Sequence, residues 1–234
     1  MDWLNDFTLL SFDATSSAGT RGCVELAKRP TTDRKPRKKR WLQILKAAAE
    51  VFYEKGYEAA TLQDIADRVG ILKGSIYYYI KTKGDLLDSL LTEVHNEGLA
   101  MIRERAATEG SVFDKLAAMV DGHIDYICRN QAKTTVYLHE LKALSRQHRQ
   151  SLFKPDEFRS EFQSVIEQGQ KEGLILTRLD PKLTAQAMMG CLNSLYQWYR
   201  PSAARPPQQI ADHFITTALR GVASDKGLKL LPKD

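Results

Sequence analysis

The apolar residues of this chain recur at intervals of three and four over most of its length, the period of helices that bury one face. No proline interrupts the pattern from Arg37 to Lys154. A first helix is predicted from about Arg37 to Lys55, with Trp41, Ile44, Leu45, Ala48, Val51 and Phe52 as its buried stripe and Gly56 as its stop. A second is predicted from Thr61 to Val69, and a third from about Lys73 to Ile80. A long fourth begins near Asp85 and passes Leu86, Leu90, Val94 and Met101. Further helices are expected at about 112–130, 132–147 and 155–172. Pro181 opens another, to about Tyr199, and Pro207 a last one, to about Arg220, because proline is tolerated in a helix's first turn. Gly173 to Leu179 is the nearest approach to a strand and reads as a loop between helix signals. No internal repeat is evident. The fold class is therefore all-α, a small three-helix unit followed by a larger helical domain.

The stretch TLQDIADRVGILKGSIYYYI, residues 61–80, carries the most specific pattern. Thr61 and Asp64 have the spacing of a capping box, in which each side chain satisfies a backbone donor of the other. Leu62, Ile65, Ala66 and Val69 form one apolar face, and Gly70 stands where a left-handed turn ends the helix. Two short helices joined by a glycine-containing turn and braced by a longer one describe a helix-turn-helix. The second short helix offers Lys73, Gly74, Ser75, Tyr77, Tyr78 and Tyr79, followed by Lys81 and Lys83, with no acid between Arg68 and Asp85. Gly74 and Ser75 make a thin leading end for a major groove, and Lys73 can donate to guanine edges. Serine and tyrosine hydroxyls can donate to phosphate. The three tyrosines cannot all face one core, because successive helical positions point about 100° apart.

Charge sharpens this reading. Lys28 to Arg40 holds eight basic residues and one acid, so this tract alone exceeds the +5 net charge of the whole chain. Such a tract is either a solvated linker or an arm that touches a polyanion. It leads straight into the first helix, through Arg40.

The residues from Leu45 to Leu87 resemble the DNA-binding domain of the TetR family. The resemblance rests on Ala48, Phe52, Gly56, Thr61, Ile65, Ala66, Gly70, Lys73, Gly74, Ser75, Ile76, Tyr77, Tyr79, Lys83, Leu86 and Leu87 at their spacing. It implies that Lys73 and Gly74 approach bases, that Thr61, Ser75, Tyr77, Tyr79 and Lys83 hold phosphate, and that the basic arm reaches DNA. Ile80, Gly84 and Leu72 depart from the family's habit, and Leu72 stands where a small polar residue is common. The resemblance further implies a homodimer on an inverted-repeat operator in double-stranded DNA, with a small-molecule effector. The segments His139–Arg149 and Phe158–Pro181 and the run Cys191–Pro201 are similar to the branch that senses acyl-coenzyme A thioesters.

The residues divide accordingly into an N-terminal arm (1–36), a helix-turn-helix domain (37–84), an effector and dimerisation domain (85–222) and a tail (223–234). Residues 1–33 show no sustained helical period. The helix from Pro181 is apolar nearly all round, so it must be buried on two faces, either one on its own domain and the other on a second subunit, or both within a monomeric helical core. Candidate effector contacts are Tyr126, Tyr137, His139, Arg146, Asn193 and Trp198.

Other classes find less support. Cys23, Cys128 and Cys191 are widely spaced, which argues against a disulfide framework or a zinc site and fits a reducing cytoplasm. His139 and Glu140 begin a zinc-protease-like string, but position 143 is alanine. No membrane span, secretory signal, phosphate-cradling loop or nucleophile elbow is seen, and no cofactor or metal is expected. The alternatives to an effector-responsive repressor are a DNA-associated structural protein controlled by a protein partner, and an all-helical enzyme.

Overall fold

The computed structural model describes residues 34–154, 156–202 and 205–232. The apolar cluster at Trp3–Phe12 and the first part of the basic tract, residues 28–33, lie outside them. Twelve helices are present among the described residues. They are α1 (Arg34–Lys55), α2 (Leu62–Val69), α3 (Lys73–Ile76), α4 (Lys83–Ala106), α5 (Val112–Arg129) and α6 (Gln131–Ala143). The rest are α7 (Arg146–Leu152), α8 (Glu157–Lys171), α9 (Pro181–Asn193), α10 (Leu195–Trp198), α11 (Pro207–Val222) and α12 (Asp225–Leu228).

The N-terminal caps follow from local chemistry. Thr61, Thr82 and Ser111 each pair with an aspartate three residues on, giving capping boxes at α2, α4 and α5. Asp180 caps α9 by accepting from the Leu183 N–H at 2.7 Å, with Pro181 in the first turn. Gly70 ends α2 at φ 72°, a left-handed conformation that a side chain would strain.

Four elements depart from expectation. The third helix does not reach Ile80: α3 is a single turn, followed by i→i+3 bonds from Tyr78 N to Ser75 O and from Tyr79 N to Ile76 O. Ile76 and Ile80 are both buried, and the tighter winding lets both anchor the segment. The sixth helix stops at Ala143, because Leu144 is extended and Ser145 caps a separate α7 by accepting from His148 N. The helix from Pro181 breaks at Ser194, whose hydroxyl bonds back to Cys191 O at 2.7 Å and competes with the helical ladder. The tail is not free. Its α12 docks through Gly227, where an added Cβ would lie 2.2 Å from Leu174 O. The Gly173–Leu179 loop makes one isolated bridge, Ile175 to Ala223.

Two apolar clusters fill the interior. One joins α1, α2, α3 and the first half of α4, including Ile44, Ala48, Phe52, Ile65, Ile76, Leu86, Leu90 and Val94, with Val136 and Phe153 added from α6 and the end of α7. The other holds α5, α8, α9 and α11 around Leu116, Met119, Ile124, Phe162, Ile166 and Leu192, and takes Ile102 from the far end of α4. The boundary expected after residue 84 thus falls inside one continuous helix. α4 belongs to both cores and joins them.

Candidate functional site

The helix-turn-helix is fixed to α1 by its inner face and by ion pairs at its edge. Arg68 bridges Glu50 (3.3 Å) and Glu54, and Lys55 meets Asp64 at 2.7 Å. The Asp64 carboxyl is held at about 2 by the Lys55 ammonium and by hydrogen bonds from Thr61. Tyr79 is half-buried and stacks on Trp41, with ring centroids 6.1 Å apart and planes 11° from parallel. This sets Tyr79 apart from its neighbours. Tyr77 and Tyr78 are exposed, as are Leu72, Lys73 and Gly74, and Ser75 is half-buried. A Cβ added to Gly74 would meet nothing within 4 Å. Lys73, Gly74, Tyr77 and Tyr78 therefore share one open, acid-free surface, and Arg40 is exposed on α1.

Two of the residues expected to hold phosphate are engaged elsewhere. The Lys83 ammonium donates to Tyr57 O (2.8 Å), Glu58 O (3.0 Å) and Ala60 O (3.0 Å). It also lies 4.5 Å over the Tyr57 ring. All three of its hydrogens are used, so Lys83 ties the α1–α2 connection to the start of α4 instead of facing outward. The Thr61 hydroxyl both donates to Asp64 Oδ2 and accepts from Asp64 N. Its cap role leaves it no free hydrogen for phosphate.

A second site lies in the larger domain, a cavity of about 770 Å³. That volume falls in the usual range for small-molecule sites. α4, α5, α6, α7, α8 and α9 all contribute to its walls. Of the candidate contacts, Tyr126, Tyr137, Arg146 and Asn193 line it. His139 and Trp198 do not: His139 is exposed beside Glu140, and Trp198 is half-exposed on α10 with its indole N–H donating to Ser194. Burial pushes the hydroxyls of Tyr126 and Tyr137 above the ordinary tyrosine range, with Glu97 reinforcing this for Tyr126 and Glu157 for Tyr137.

Sequence reasoning passed over the two buried histidines of this cavity. His95, on α4, lies 2.9 Å from Tyr137 Oη through Nδ1 and 3.1 Å from Glu157 Oε2 through Nε2. With Nε2–H donating and Nδ1 accepting, both ring nitrogens are satisfied. The ring also stacks on Phe153 at 4.3 Å. His123, on α5, lies 2.9 Å from Asn193 Oδ1 through Nε2, and its Nδ1 is buried without a partner among the described residues. Burial lowers the His123 pKa. The signal was in the spacing: His95 falls between Leu91 and Leu99, and His123 between Leu116 and Ile127, on the apolar faces of their helices.

The cavity is apolar on one part of its lining, with Ile127, Leu138, Leu141, Phe153, Phe158 and Met189. The same lining carries Asp156 and Glu157, paired with Arg159 and His95, and Lys142, Arg146, Arg149 and Lys154, none of which forms an ion pair among the described residues. Lys142 Nζ instead donates to Tyr196 Oη at 3.2 Å.

Comparison with known proteins finds matches over both halves of the chain. Residues 44–90 match the profile of bacterial regulatory proteins of the tetR family, and residues 109–222 match that of the tetracyclin repressor-like C-terminal domain. The HTH-type transcriptional repressor KstR2 of Rhodococcus jostii is 28% identical over 197 residues, covering 83% of this chain and 97% of that one. The crystal structure of a TetR/AcrR-family transcriptional regulator from Thermobifida fusca is 31% identical, with a TM-score of 0.62, over 78% of this chain and 98% of that one. The fold is also that of AibR, solved with isovaleryl coenzyme A and operator DNA, at 23% identity and a TM-score of 0.69 over 76% of this chain and 97% of that one. No helix among the described residues is long and apolar enough to cross a membrane. A helix-turn-helix with an open, acid-free face, coupled through one long helix to a cavity-bearing helical domain, is thus matched over both halves, and the chain belongs to the TetR family of DNA-binding transcriptional regulators.

Proposed function

We propose that the protein is a homodimeric repressor that leaves its inverted-repeat operator when an acyl-coenzyme A thioester fills the cavity. The observation that carries this reading is the pairing, in one cavity, of an apolar lining with four cations that lack carboxylate partners. Apolar walls suit an acyl chain, and guanidinium and ammonium groups suit the phosphates of the coenzyme. Named relatives point the same way. KstR2 is called a repressor, and AibR was solved with an acyl-coenzyme A and operator DNA.

DNA would be read by Lys73, Gly74, Ser75, Tyr77 and Tyr78, with Arg40 and the basic arm on phosphates. Leu72 is 81% exposed beside them, and its methyl groups have the chemistry to meet a thymine methyl. A second subunit would cover the exposed α9 face of Leu183, Ala187 and Gly190, whose spacing places them on one side of the helix that ends at Ser194. Trp198 lies near this face, through its bond to Ser194. The protein acts by binding and not by turnover, in the cytoplasm where its DNA lies.

Fluorescence anisotropy of a selected operator duplex tests the effector. Octanoyl-coenzyme A is expected to release the duplex, and free coenzyme A and octanoate are not. Unchanged anisotropy at saturating thioesters of several chain lengths would contradict the reading.

A further inference from the structure

The wall formed by α5 and α9 contains an unmet hydrogen-bonding requirement. His123 is only 7% exposed and lines the cavity, yet its Nδ1 has no partner among the described residues. Such a group costs stability unless something in the cavity pairs with it. Its Nε2 is committed to Asn193 Oδ1 at 2.9 Å, which requires Nε2–H and leaves Nδ1 a bare acceptor. The amide nitrogen of Asn193, which also lines the cavity, is without a partner among the described residues. The pair therefore offers one acceptor and one donor. Turning the amide over exchanges the two roles and leaves the same sum, one acceptor and one donor. Of the other polar side chains at the cavity, the His95 ring has both nitrogens paired, Arg159 on α8 meets Asp156, and Lys142, Arg146, Arg149 and Lys154 lie on α6, α7 and the segment after it.

A hydroxyl is the smallest group that donates and accepts at once. We infer that the effector carries a hydroxyl on its apolar part, and that His123 and Asn193 select it over the plain chain. This deepens the reading of the cavity as the effector site and rests on it. A purely apolar chain in the same place would leave the buried Nδ1 unpaired, so it forgoes the bond that a hydroxylated chain can make.

Calorimetric titration of the full chain with octanoyl-, 3-hydroxyoctanoyl- and 8-hydroxyoctanoyl-coenzyme A tests this, with thermal shifts from octan-1-ol and octyl methyl ether alongside. At least one hydroxylated thioester is expected to bind about tenfold or more tighter than the plain one, the worth of one well-made hydrogen bond in a dry site. The advantage should vanish in His123→Phe and in Asn193→Leu, and either folded variant suffices. Octan-1-ol should raise the wild-type melting temperature more than that of either variant, and the ether, which cannot donate, should not distinguish them. Discrimination by the alcohol when no thioester binds would uphold the hydroxyl reader and remove the thioester. Equal binding of plain and hydroxylated compounds in both series would overturn the inference while leaving thioester recognition standing.

Discussion

His95 Nδ1 lies 2.9 Å from the hydroxyl of Tyr137, joining α4 to α6 at the cavity. The same helix that carries His95 contributes Leu86, Leu87, Leu90 and Leu91 to the core of the reading head. A ligand that displaces Tyr137 or Phe153 must therefore act on α4, and through it on the spacing of two heads in a dimer. Release then depends on the ligand's preference for one α4 position over the other.

His95→Phe is expected to leave operator affinity within a few-fold of wild type and to blunt effector-driven release. Coupling between sites is typically 5–150-fold, and the variant should retain less than about a third of that factor. Anisotropy titrations with and without effector measure the ratio directly. A variant with full coupling would remove His95 from the transmission route.

Lys83→Met should act on folding more than on charge recognition. Losing three hydrogen bonds from one ammonium to carbonyls of residues 57, 58 and 60 is expected to cost about 1–3 kcal/mol. This should appear as a lower urea midpoint. The slope of log affinity against log salt should stay unchanged, because no phosphate contact is lost. A slope reduced by about one would return Lys83 to the phosphate backbone.

Tyr78→Ala and Tyr79→Ala should separate. Tyr78 is 82% exposed, so its loss should weaken DNA binding with no change in melting temperature. Tyr79 stacks on Trp41, and its loss should lower the melting temperature, an aromatic pair adding about 0.5–1.5 kcal/mol beyond its buried area. Equal thermal effects of the two variants would refute the distinction.

Much of this architecture was legible in the chain. Thr61, Asp64 and Gly70 announce α2 because caps are local chemistry, and Gly74 and Lys73 announce an open leading end. Lys83 was misread because a lysine beside a DNA-reading helix looks identical whether it faces phosphate or three carbonyls. Only the packing of the α1–α2 connection against α4 tells them apart. Trp198 was assigned to the effector contacts because the apolar pattern runs on past Ser194, where a side chain–backbone competition breaks the helix. His95 and His123 stood at core spacing but needed their partners on α6, α8 and α9 to become visible.

Acid should loosen the anchoring of α2 only below the ordinary carboxylate range. Asp64 is held at about 2, below the carboxylate's ordinary value of 3.8, so its contribution is present above that ordinary value and fades as pH falls through about 2. Asp64→Asn should remove part of the stability loss that wild type shows between about pH 4 and pH 2. Matching acid limbs in urea titrations of the two proteins would show that the Lys55 and Thr61 contacts do not hold this carboxylate in solution.

Selection of duplexes from a random pool at moderate salt, by wild type and by a Lys73→Ala, Tyr78→Ala double variant, tests the DNA-reading surface most directly. Wild type is expected to enrich an inverted repeat whose half-sites lie about one helical turn, roughly 10 base pairs, apart, and the double variant is expected to lose that enrichment. An unsymmetric motif, no motif at all, or equal enrichment by the double variant would contradict it.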